Sequence, residues 1–313
     1  MSEPAQQRHE QGPAPVYARA PLLDGLVPAE EALPVILFEC LTHTAANVPA
    51  VLESHDSDGL HQFRVGLRRL RSALSVFGKE LPEMRVLNDR AKAISCAVGP
   101  ARDFDVFLDE LFEPALGHLG HQSGFEILRS RAKRSRERAW LAAIDEINSA
   151  EFLAFQDDVA AVASAKLWAG NGKQPLSIAA PRVMNDLFHR AIKRGKRLKQ
   201  KAPADRHRLR ITLKKLRYTS EFFAPLYRAK AVGHFLEPLK ELQDRLGHLN
   251  DVAHVRGTLG RLMMEEAGEA SLQAELSHAS GLIIGWHQAR AHHALQKTSK
   301  RWKAFKKAKV FWD

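Results

Sequence analysis

A seventeen-residue pattern occurs twice in this chain, 146 residues apart. His61-Gln-Phe-Arg-Val-Gly-Leu-Arg-Arg-Leu-Arg-Ser-Ala-Leu-Ser-Val-Phe77 reappears as His207-Arg-Leu-Arg-Ile-Thr-Leu-Lys-Lys-Leu-Arg-Tyr-Thr-Ser-Glu-Phe-Phe223. His, Arg, Leu, Leu, Arg and Phe are identical at matched places, and Arg68-Arg69 becomes Lys214-Lys215. The match extends upstream, where His43 and His189 each stand 18 residues before the pattern. Downstream, Gly99-Pro-Ala-Arg-Asp103 answers Gly247-His-Leu-Asn-Asp251 at an offset of 148, as expected for a two-residue indel in a loop. A period this long excludes a solenoid and implies a duplicated unit, an internal pseudo-dimer.

Almost everything after the first 27 residues has helical period, and strand signals are nearly absent. The predicted fold is all-α: two four-helix-bundle repeats related by pseudo-two-fold symmetry. Helices are expected at roughly 29–53, 58–79, 84–115, 122–147 and 150–168, then 181–200, 205–227, 230–264 and 270–309. The polar, Pro-rich residues 1–27 read as a disordered leader. Residues 28–168 form the first repeat, 169–175 (Ala-Gly-Asn-Gly-Lys-Gln-Pro) the linker, and 176–313 the second repeat.

Charge narrows the function. The 313 residues carry a net charge of +11, which favours polyanionic partners. Cys40 and Cys96 give no metal spacing and are expected as buried free thiols. No apolar run is expected to span a bilayer, and the first residues lack the apolar stretch of a secretory signal, so a cytoplasmic location without membrane insertion is expected.

On a helix, His61, Arg64, Arg68 and Arg71 fall within an arc of roughly 80°. His207, Arg210, Lys214 and Arg217 do the same. Beside each cationic stripe runs an apolar one: Phe63, Leu67, Leu70, Leu74 and Phe77 in the first copy, Leu209, Leu213, Leu216 and Phe223 in the second. Like charges one turn apart cost a few tenths of a kcal/mol per pair. An unneutralised stripe retained through Arg-to-Lys exchange therefore points to a counter-charge from outside. Arg69 and Lys215 fall off the main stripe.

Asp103 and Asp251, each in a turn four residues after a glycine, are expected either to orient stripe arginines or to serve local geometry. Asp105 adds a second carboxylate in the first copy, which leaves a catalytic pair open. The fifteen histidines show no His-x3-His spacing, so no metal and no cofactor are expected. Other basic clusters read as solvated faces that widen the field: Arg131, Arg134 and Arg138; Arg190, Lys193, Arg194 and Arg197; Lys300 and Lys303. Trp302, Phe305, Phe311 and Trp312 read as packing aromatics.

His61-x2-Arg64-x3-Arg68-Arg69-Leu70-Arg71 with Gly99-x2-Arg102-Asp103-x-Asp105-Val106 resembles the signature of the CHAD family, the conserved histidine α-helical domain. His207-x2-Arg210-x3-Lys214-Lys215-Leu216-Arg217-Tyr218 with Leu249-Asn250-Asp251-Val252 resembles that family's second repeat. The resemblance covers about residues 30 to 312. It implies two four-helix bundles with a basic channel between them, binding of inorganic polyphosphate, and association with polyphosphate granules in some members. His61, Arg64, Arg68 and Arg71 would line one wall; His207, Arg210, Lys214 and Arg217 would line the other. Some members carry a catalytic CYTH domain ahead of the helices. Only some 28 residues precede them here, so a non-catalytic module is expected. Lys193 and Arg194 stand where the first copy has Asn47 and Val48, so a channel more cationic on its second half is expected.

The leading expectation is thus a polyphosphate-binding module. Arg forks and Lys charges engage phosphoryl oxygens, counterion release makes binding salt-sensitive, and partial histidine protonation near pH 6–7 strengthens it. The alternatives are a nucleic-acid-binding protein using the same surface and an enzyme acting on phosphoanhydrides through Asp103, Asp105 or Asp251.

Overall fold

Helix starts follow the caps written in the sequence. Asp56 accepts hydrogen bonds from Asp58 N and Gly59 N at 2.7 and 2.8 Å, which satisfies two first-turn donors of the first stripe helix. Ser149 Oγ accepts from Phe152 N at 3.1 Å in the same way. The computed structural model describes residues 12–78, 80–165, 172–264 and 270–313; the side chains of residues 199, 203, 248–253 and 292–297 lie outside that description. In order, the helices are α1 (Ala29–Ala45), α2 (Val48–Leu52), α3 (Ser57–Phe77), α4 (Pro82–Ala97), α5 (Gly99–Val106), a π-helical segment Phe107–Phe112, α6 (Glu113–Leu119), α7 (Ser123–Ile147) and α8 (Ala150–Ser164). The second half holds α9 (Leu176–Gly195), a 3-10 turn Leu198–Gln200, α10 (Pro203–Phe223), a second 3-10 turn Ala224–Leu226, α11 (Ala229–Met264) and α12 (Ala270–Lys307). The described residues contain no strand, only an isolated antiparallel bridge between Pro28 and Pro175.

One expected helix is divided. The segment expected as 84–115 breaks at Val98, because Pro100 lacks the N–H that a continuing helix needs and instead sits in the first turn of a new one. Its counterpart, α11, runs unbroken through Gly247. Gly99–Asp103 and Gly247–Asp251 are therefore helical rather than turns.

The apolar stripes do their expected work. Phe63, Leu67, Leu70, Leu74 and Phe77 of α3 are buried with Leu209, Leu213, Leu216 and Phe223 of α10. Each such side chain contributes roughly 1.5–3 kcal/mol on burial. Phe77 and Phe223, the last matched pair of the repeat, meet edge to face at 5.6 Å. The halves do not keep separate cores. The larger buried cluster joins α1, α3, α4 and α8 to α9, α10 and the first part of α11. The smaller joins Phe107, Phe112, Phe125 and Leu128 to Val255, Leu259, Leu276 and Ile283. Matched helices touch: α3 packs on α10, α1 on α9 and α7 on α12.

The leading segment departs from the expectation of disorder over residues 12–27. These residues form no helix, yet they are pinned. Asn47, buried in α1's wake, accepts from Val16 N and donates to Val16 O, both at 2.9 Å. Tyr17 donates to Asp58 at 2.7 Å, and Arg69 donates to Arg19 O at 3.1 Å. Residues 1–11 lie outside the described residues, as do 166–171, which include the start of the expected linker. The rest of that linker caps α1: Ala29 N donates to Gln174 O and Glu30 N to Gly172 O, both at 3.0 Å. In return Leu176 N donates to Val27 O and Ser177 N to Gly25 O, both at 2.9 Å. Each helix start thus has its orphan donors satisfied by the segment that precedes the other.

Two further expectations need correction. Ala29–Leu52 is long and apolar enough, by composition, to cross a membrane. The chain breaks helix there between Ala45 and Val48, and Ala32, Leu33, Ile36, Leu37 and Cys40 enter the core. Both cysteines are free, but only Cys40 is buried; Cys96 is exposed because it lies off the apolar face of α4 that carries Met84, Leu87, Ala91 and Ile94.

Candidate functional site: a cationic cluster between two helices

The α3–α10 contact brings the two stripes together. Lys214 is half-buried on α10, and the guanidinium groups around it are Arg68 and Arg64 from α3 and Arg210 and Arg217 from its own helix. Burial first, then the Arg68, Arg210, Arg217 and Arg64 charges, pull its pKa down to about 6. At neutral pH the ammonium has given up its proton rather than sit uncompensated among four cations.

His61 stands half-buried one turn before Arg64. Burial, then Arg68 and Arg102, bring its pKa down to about 4, with Asp58 opposing and Arg64 adding. The expected gain from histidine protonation near pH 6–7 is therefore absent at His61 in the free protein. Burial first, and then the arginines beside it, hold it neutral against the pull of Asp58.

The arginines are positioned by backbone and by few carboxylates. Arg64 donates to Gly99 O at 2.8 Å and to Asp103 at 3.2 Å. The second copy pairs alike at the glycine: a Cβ on Gly99 would stand 3.7 Å from Arg64 Nη2, and one on Gly247 3.7 Å from Arg210 Nη2. The side chain of Asp251 lies outside the described residues. Arg68 donates Nε back to Arg64 O at 3.3 Å. Arg217 lies 4.8 Å over the Tyr218 ring and 3.8 Å from Glu221. Glu221 also meets Arg69 at 3.4 Å and Lys240 at 3.9 Å, so one carboxylate closes one end of the cluster against three cations. Among the described residues no carboxylate comes within ion-pair distance of Arg68, Arg71 or Lys214. Nε of Arg71, Arg102 and Arg217 is buried without a hydrogen-bond partner. Buried N–H groups left unpaired each cost about 1–3 kcal/mol.

Not every expected residue joins. Arg71 turns toward α4, where burial lowers its pKa against the opposing influence of Cys96 and Asp89. His207 is exposed at the start of α10. Arg69 is buried, spanning Glu221, Arg19 O and the Phe222 ring at 5.0 Å, and serves as a structural tie between halves. Lys215 is half-buried beside the stripe. Arg131 is corrected outright: it is 1% exposed and donates to Leu262 O at 2.8 Å, capping the end of α11. Arg134 and Arg138 are exposed and hold Ser130 and Ser135, both at 3.0 Å. Arg190, Lys193, Arg194, Arg197, Lys300 and Lys303 are exposed. Arg194 donates to Arg208 O and Thr212, on the flank of α10 away from Lys214, so the Lys193–Arg194 pair does not enter the cluster. Asp105 is fully buried and accepts from Arg136 at 2.6 Å and Trp140 at 3.1 Å.

Sequence reasoning passed over Arg102. It lies inside the Gly-x2-Arg-Asp motif, but its counterpart is Asn250, so the repeat gave it no cationic partner to match. Asn47 was also missed, because a polar residue at a helix end gives no sign that it grips a distant backbone.

A family model for the CHAD domain matches residues 35–260, most of the chain. The chain belongs to the CHAD family. That family is associated with polyphosphate binding, and its domain is generally a binding module. The crystal structure of the CHAD domain from the plant Ricinus communis is similar over 95% of this chain and 98% of its own, at 28% identity and a TM-score of 0.79. PptA from Streptomyces chartreusis shares the fold at a TM-score of 0.68 and 14% identity, over 88% of this chain and 99% of its own. No curated protein matches the sequence.

Proposed function

We propose that this CHAD protein is a non-catalytic module that grips inorganic polyphosphate in a basic channel between α3 and α10. The two walls come from duplicated halves related by a pseudo-two-fold axis. The reciprocal bonds at the starts of α1 and α9 and the Phe77–Phe223 contact support that relation. The observation that carries the reading is the cluster of Arg64, Arg68, Arg210, Lys214 and Arg217, in which, among the described residues, no carboxylate comes within ion-pair distance of Arg68 or Lys214. Such a cluster is costly alone and is relieved by a dense line of phosphoryl oxygens. His61 and Arg102 extend the first wall, with Asp103 orienting Arg64. Binding at polyphosphate granules in the cytoplasm would follow from the same contacts.

Nucleic acid fits less well, because Trp302, Phe305, Phe311 and Trp312 are buried and offer no platform for bases. Hydrolysis fits less well, because Asp103 and Asp105 are held by arginines. The test is a titration with long-chain polyphosphate, duplex DNA and pyrophosphate at two salt concentrations. Tight, salt-sensitive binding of polyphosphate alone is expected; equal competition by DNA at matched charge, or phosphate release, would overturn the reading.

A further inference from the structure

The second half carries a cationic surface that the first half lacks at the same positions. Lys193, Arg194, Lys196 and Arg197 are exposed around the end of α9. At the repeat offset their counterparts are Asn47, Val48, Ala50 and Val51, none of them charged. In the first half this stretch is α2, packed so closely on α3 that a Cβ on Gly59 would stand 2.7 Å from that of Ala50. Asn47 there holds the leading segment through Val16. In the second half the chain turns outward instead, through Arg197 at a left-handed φ of 54°. A non-glycine residue costs about 1 kcal/mol there, yet the position is an arginine.

This surface adjoins one end of the cluster. Arg194 bonds to Arg208 O and Thr212 on α10, within two turns of His207 and Arg210. His207 and Arg208 are exposed and connect the two faces of that helix. Trp302 of α12 lies where a Cβ on Gly195 would be 2.0 Å from its ring, which brings the exposed Lys303 next to the end of α9. Among the described residues no carboxylate lies within ion-pair distance of Lys193, Arg194, Lys196 or Arg197. One cation suffices for the negative end of a helix; four exceed it.

We propose that this outer surface is a second binding segment, over which a phosphate polymer too long for the channel continues past His207. It rests on the function proposed above and adds a length preference that only the second half confers. A chain confined to the channel spans about 10 Å along α10 from Arg210 to Arg217. Only longer chains reach the outer cations.

The test compares short polyphosphate of that span with long-chain polyphosphate. The proteins are the full chain and its Lys193→Gln/Lys196→Gln/Arg197→Gln variant, with affinity measured across a salt series. For long chains the slope of log K against log salt should fall by about 2, since three released cations count about 0.7 each. Short-chain affinity should stay within about twofold, below the ~1.4 kcal/mol of a tenfold change. No change for long chains, or an equal change for both lengths, overturns the proposal. So does a loss confined to duplex DNA or anionic vesicles. A full-length protein that binds neither length refutes the channel itself, a different outcome from a channel that binds without a length preference.

Discussion

Lys214 shows why the cluster expects an anion. Its folded pKa of about 6 lies below the ~10.4 of an exposed lysine. Between those values the unfolded chain holds a proton that the folded chain has released, so stability rises as pH climbs from about 6 to about 10. A polyanion in the channel restores the ammonium, so binding at pH 7.5 should take up about one proton and weaken as pH rises. Heats of binding in two buffers of different ionisation enthalpy measure that uptake. Lys214→Met should abolish it, raise the melting temperature of the free protein, and weaken binding about tenfold or more. Proton-neutral binding by the full protein would contradict this account of Lys214. The stripe was legible in the sequence because cationic identity survived duplication. The depressed pKa was not, because it arises first from burial and then from cations that include Arg68 and Arg64 on α3, and both depend on how α3 and α10 pack.

At the scale of elements, α3 and α10 were readable from period, caps and repeat, since one helix face must carry the core and its neighbour the charge. The break at Val98 was obscured by apolar residues that keep helical period on both sides of Pro100. The leading segment was misread for a different reason. Its Pro-rich sequence has no helical period, and its order comes in large part from Asn47, Arg69 and Asp58, which belong to other elements. Asn47→Ala removes both bonds to Val16 and leaves that part-buried backbone pair without its side-chain partner, a cost of at most about 1–3 kcal/mol per group. Tryptic cleavage after Arg19 should then accelerate several-fold while α3 and polyphosphate binding are retained. Unchanged cleavage would show that the segment is held by other means.

For the whole molecule, in the function proposed above duplication gives one chain two basic walls, while the halves differ in their outer surfaces. The repeat was visible at once, but the interleaving of the cores was not. A repeat specifies equivalent parts and leaves open how matched faces dock. Arg131 illustrates this: one turn from Arg134 it reads as part of a basic face, yet it is buried in the end of α11. The central claim is that both halves grip one polymer. Long-chain polyphosphate affinity, measured at fixed salt for Arg68→Ala, Lys214→Ala and the double variant, tests it most directly. Each single loss should cost about tenfold, and the double should cost about a hundredfold or more, with a shallower salt dependence and an unchanged helical spectrum. A double variant that binds as tightly as the original protein would contradict it.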